Sequence, residues 1–151
     1  MSGNVKTMFA FTALAFTVGL YPTVYAQDSM QHESKAKILE TGNFHGTLHS
    51  TSGRATIYQE QDKQVVLRLT NFNTSNGPDV HVILIGAEDA DDNANFLKSN
   101  TARLELGKLK GNEGDQNYEI PSGTDLSKFK TVSIYCERFN ANFGAAPLEK
   151  F

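Results

Sequence analysis

Apolar residues in this chain recur at every second position in short runs, and clusters of Gly, Asn, Ser, Asp or Pro interrupt them before a helical period can build up. Val65, Leu67 and Leu69 alternate with Val66, Arg68 and Thr70; Phe44, Gly46 and Leu48 alternate with His45, Thr47 and His49. Side chains two apart in an extended chain share a face, so this pattern predicts half-buried strands. The spacing places them over 43–50, 54–59, 64–71, 80–85, 103–110, 116–120, 131–137 and 142–148. The run from Val80 to Ile85 is apolar on both faces apart from His81, as suits a strand inside a sheet that is covered on both sides. Gly107 predicts a bulge, and Gly111 to Asp115 a hairpin loop joining the strands on either side. A polar stretch from Glu88 to Asn100 reads as a loop with one helical turn around Asn95 to Lys98. About eight short, mainly antiparallel strands without a long amphipathic helix predict an all-β sandwich or barrel.

The first residues read differently. Lys6 precedes an uncharged, mostly apolar stretch from Thr7 to Leu20, followed by Pro22 and the small-residue pattern Val24-Tyr25-Ala26. This predicts a secretory signal peptide over 1–26, since the apolar run is shorter than the ~20 residues a membrane-spanning helix needs. A polar lead-in is expected over 27–37 and one β domain over 38–151, with a secreted or periplasmic location and no membrane span once the signal is removed. Loss of Lys6 takes the basic count from 14 to 13 against 17 acidic residues, and the net charge from −3 to −4. That balance argues against nucleic acid or an anionic membrane as a partner.

Cys136 is the only cysteine, so no disulfide forms within the chain, and neither a cysteine-pair zinc site nor a C-x-x-C-H haem attachment is available. Alternation puts Val132, Ile134 and Cys136 on one face of a strand and Ser133 and Tyr135 on the other. Two readings follow. Cys136 is either an inert, buried packing residue or, if alternation continues to Arg138, a thiol at the rim whose thiolate that guanidinium favours. His81, on the face of Ile83 and Ile85, is a candidate second ligand beside the simpler reading of a hydrogen-bonded core histidine. His45 and His49 are roughly 13 Å apart at ~3.3 Å per residue, too far to chelate one ion. A blue-copper site needs a histidine and a methionine soon after the cysteine. Here Glu137, Arg138, Phe139, Asn140 and Ala141 follow instead, which argues against copper. The acidic loop 111–115 lacks the ligand spacing of a calcium loop, and no hydrolytic triad is visible. Phe129, Phe139 and Phe143 read as core aromatics flanking the cysteine strand.

Four ordered segments, GNFHGTLHSTSGRATI (Gly42 to Ile57), NGPDVHVIL (Asn76 to Leu84), LGKLKGNEGDQNYEIP (Leu106 to Pro121) and SIYCERFNANFGAAPL (Ser133 to Leu148), together resemble the DM-thirteen domain, also called the electron-transfer DM domain. The resemblance implies an extracellular or periplasmic β-rich domain. It implies a redox cysteine, matched here by Cys136, acting as a bare thiol or by holding a prosthetic group such as haem. With no companion DOMON-type domain in this sequence, the expected partner is a separate envelope or extracellular redox protein. The competing function is a protein- or glycan-binding module with a structural cysteine.

Overall fold

The computed structural model of the protein describes residues 36–90 and 101–151. The expected signal peptide, nearly all of the lead-in and the helical turn near Asn95 lie outside them. The described residues form ten strands: β1 (Lys37–Asn43), β2 (His45–Gly46), β3 (Ser52–Gln59), β4 (Val65–Asn73), β5 (Val80–Ile85), β6 (Arg103–Lys108), β7 (Gln116–Ile120), β8 (Thr131–Cys136), β9 (Ala141–Pro147) and β10 (Glu149–Lys150). A single 3-10 turn, Leu126–Lys128, is capped by the Asp125 carboxylate.

Every strand pairing is antiparallel, and the strands divide into two five-stranded sheets, ordered β10-β1-β3-β4-β7 and β2-β9-β8-β5-β6. The alternating residues of both sheets meet in one core. Ala55, Ile57, Leu67 and Leu69 come from the first sheet, and Val82, Leu84, Val132, Ile134 and Cys136 from the second. This is the all-β sandwich that the period of two predicts.

Three local features depart from the sequence reading. β1, with the sequence KILETGN, was not among the expected strands, because a bulge between Ile38 and Glu40 breaks its alternation. The expected strand over 43–50 shrinks to β2, because the chain leaves one sheet at Asn43 and enters the other at His45. Phe44 makes this crossing, buried edge-on against Phe72 with its N–H donating to the Gly53 carbonyl at 2.9 Å. The segment after β6 is not a hairpin loop, since β6 and β7 belong to different sheets. Lys110 N–H donates there to the Tyr118 hydroxyl at 3.0 Å, tying the crossing segment to β7. Alternation identifies a strand without naming its neighbour, so the crossover was invisible in sequence.

The central strands of the second sheet are covered on both faces. All six residues of β5 and all six of β8 are buried. Ile83, Ile85, Tyr135 and Ala145 face away from the central core and pack with Ala90. The chain at 86–90 therefore lies across this outer face as a strap. Thr131 Oγ1 donates to the Ala87 carbonyl at 2.9 Å and the Glu88 carbonyl at 3.0 Å. Asn142, fully buried, accepts from Ser133 Oγ at 2.9 Å and donates to the Ala90 carbonyl at 2.7 Å. Buried polar groups cost free energy unless paired, so these bonds hold the strap against the sheet.

Two substitutions separate the two packed faces. Ile134→Ala should destabilise the domain by about 2–5 kcal/mol through a cavity in the central core. Asn142→Ala should cost about 1–3 kcal/mol by orphaning the Ala90 carbonyl and the Ser133 hydroxyl. Urea denaturation of both variants measures this.

Candidate functional site

Cys136 closes β8 on its inner face, as the alternation requires, with no solvent exposure. Its cross-strand partners are Val80 on β5 and Ala141 on β9, and Ile134 precedes it on the same face. The strand then ends. Residues 137–140 form a turn in which Asn140 N–H donates to the Glu137 carbonyl at 3.2 Å and Asn140 takes φ of 50°. Asn tolerates this left-handed conformation better than most side chains, which suits it to the position. Arg138 is an exposed turn residue and does not continue the face of Cys136. Phe139, expected in the core, is 61% exposed on the same turn, while Phe143 is buried and Phe129 packs against the core edge.

His81 is on the opposite face of the sheet, 8% exposed, level with Tyr135 of β8 and Lys108 of β6. Its Nδ1 lies 2.6 Å from Glu105 Oε1 and its Nε2 3.1 Å from Asp79 Oδ1. A carboxylate only accepts, so both bonds form together only when both ring nitrogens carry protons, as in the imidazolium. Burial acts to lower the His81 pKa, but the hydrogen bonds and charges of Asp79 and Glu105 outweigh it and raise the pKa above its ordinary 6.5. Asp79 is held low by its hydrogen bonds from His81 and from Lys108 Nζ, the latter at 3.1 Å.

Around this clamp, Arg103 pairs with Glu137 and its guanidinium lies 5.7 Å from the Tyr135 ring centroid. The Tyr135 hydroxyl donates to Asn140 Oδ1. Burial and the neighbouring Glu137 push the Tyr135 phenol up, against the pull of Arg103. Glu105 reaches His81 because of the Gly107 bulge. The register shifts between Val82 and Ile83, so Ile83 faces Glu105 rather than Leu106. That bulge was expected from sequence, but the residues it brings to His81 were not. The one available signal was Asp79, two residues before His81 and so on its side of an extended chain.

The described residues do not fit a haem held by Cys136 with His81 as second ligand. The two side chains project from opposite faces of one sheet, and both His81 nitrogens are engaged by carboxylates. A haem seated against Cys136 would displace the packed inner core. A groove of about 700 Å³ lies elsewhere, between Gln59 to Val65 and Glu119 to Leu126, with no histidine or cysteine among its lining residues. Among the described residues no group of three or more His, Cys, Asp or Glu side chains is placed to hold a metal ion.

The fold and this site define an antiparallel β-sandwich with one sealed thiol and a charged cluster across the sheet from it. The family described as Electron transfer DM13 matches residues 43–148, and the chain belongs to that family. This associates it with electron transfer. No curated protein and no solved structure gives a significant match. No helix of the described residues is long and apolar enough to cross a membrane.

The His81 clamp predicts a pH dependence of stability. Because the folded pKa is raised, its contribution is fully present below the unfolded value of 6.5 and is lost as pH rises through the folded value. Urea midpoints measured from pH 5 to pH 9 should fall over that window for the native chain and fall less for His81→Gln.

Proposed function

We propose that the protein is an exported electron-transfer domain whose redox group is the Cys136 thiol itself, and not a prosthetic group bound by it. Export is supported by the signal-like residues 1–26, and electron transfer by family membership. The observation that carries the choice of a bare thiol is the position of Cys136 in the fold. It is sealed in the core yet is the last residue of β8, immediately before the exposed turn 137–140. Opening that turn reaches the sulfur while the rest of the sheet stays paired.

The chemistry is thiol–disulfide exchange with a partner disulfide on an envelope or extracellular redox protein. The Cys136 thiol loses its proton to solvent, the thiolate attacks one partner sulfur, a mixed disulfide forms, and the other partner sulfur leaves as thiolate. Val80, Ala141 and Ile134 pack around the sulfur, so attack on a partner disulfide waits for the turn to open.

A second reading has one specific observation in its favour. Complete burial of Cys136 among apolar residues suits a structural cysteine in a protein- or glycan-binding module.

Labelling of the native protein with N-ethylmaleimide distinguishes the two. The redox reading expects labelling faster than global unfolding. It also expects an increase of roughly fivefold in Tyr135→Phe, which loses the Asn140 bond, a change of about 1 kcal/mol. Labelling no faster than global unfolding in both proteins would establish the structural reading. Purified protein should be colourless, and added haem should give no Soret band that Cys136→Ser removes. Mass spectrometry of the exported protein should find Gln27 at its N-terminus.

A further inference from the structure

We propose that His81 is a proton-operated latch that holds closed the end of the sandwich where Cys136 lies. The latch rests on the thiol reading for its purpose, although its operation is tested without the thiol.

Three connections meet at this end. The His81 ring bridges Glu105 of β6 and Asp79 of the loop before β5, at 2.6 and 3.1 Å. The Asp79 carbonyl accepts the Glu137 N–H at 2.9 Å, which ties that loop to the first residue of the turn after Cys136. Val80, between Asp79 and His81, is the cross-strand partner of Cys136. The ring, the loop and the turn are thus joined through one residue, Asp79.

Protonation sets the strength of the first connection. With both nitrogens protonated the ring donates to both carboxylates. Neutral imidazole has one N–H, and the shorter contact, to Glu105, is the one expected to keep it. Asp79 Oδ1 then faces a ring lone pair, held only by Lys108 Nζ, whose side chain is 76% exposed. Release of the Asp79 side chain loosens its carbonyl from Glu137 and frees the turn. The charged and titratable groups facing the ring are Asp79 from the loop, Glu105 and Lys108 from β6, and Tyr135 from β8. Glu137, in the turn beyond, is neutralised by Arg103. The raised pKa of His81 agrees with an imidazolium resting state. His81 is a positioning residue here and touches no reacting atom.

Amide hydrogen exchange of Glu137 reads the latch directly, with each rate divided by the intrinsic rate at its pH. Protection in the native chain should drop roughly tenfold, a change of about 1.4 kcal/mol, as pH rises past 6.5 and through the raised His81 pKa. Amides in the centre of β4 report global stability and should change less. Glu105→Gln removes one carboxylate from the exposed side and should move both the His81 titration, followed by NMR, and the loss of protection to lower pH together. Protection at Glu137 that is independent of pH, or that does not follow the His81 titration in Glu105→Gln, would overturn the latch. A working latch with Cys136 labelled only on global unfolding would retain the latch and remove the thiol role.

Discussion

The pairing of β5 with β8 is the constraint on which the remaining structure depends. Both strands are buried along their whole length, so one face must meet the other sheet and the second face must be covered by something else. The first requirement brings Val82, Leu84, Val132 and Ile134 against Ile57, Leu67 and Leu69 and makes the sandwich. The second brings the strap at 86–90 across Ile83, Ile85 and Tyr135. The strap cannot close a sheet ladder, so its carbonyls are met by side chains instead, and Thr131 and Asn142 occupy positions where an apolar residue would leave them unpaired. With no disulfide available, the apolar core holds the two sheets together, and these side-chain bonds hold the strap to the outer face.

Much of this was legible in the amino-acid order. The period of two around Val65 to Thr70 and the doubly apolar run from Val80 to Ile85 identify strands, and the latter identifies an interior one. What alternation cannot convey is which strands become neighbours. β6 and β7 look like two arms of a hairpin, yet β6 pairs back with β5 and β7 with β4, and the short loop between them changes sheets. β1 was missed for a different reason. Its bulge near Leu39 breaks the period, and its charged residues resemble the polar segment that precedes it.

The charged cluster shows the same division. Cys136 and His81 stand out in sequence as rare residues on apolar strands, and their faces follow from counting by two. Their relation to each other does not, because it needs the β5–β8 register that sets Val80 opposite Cys136 and His81 opposite Tyr135. Glu105 was harder still, since counting from β6 alone leaves its depth along β5 undefined. The expected placement of Arg138 on the face of Cys136 does not hold, for one reason. The strand ends at Cys136, and Glu137 to Asn140 turn the chain back before alternation could reach Arg138.

The Gly107 bulge also bears on how this protein behaves among its own copies. β6 is the outermost strand of its sheet, and an outer strand offers unpaired backbone groups to any other extended chain. Gly107, at φ of 130°, bends that strand where few other residues could, and Arg103, Glu105 and Lys108 set alternating charges along it. An irregular, charged border is a poor template for further strands. The same residue that delivers a carboxylate to His81 thus helps keep the sheet from growing by strand addition at this border.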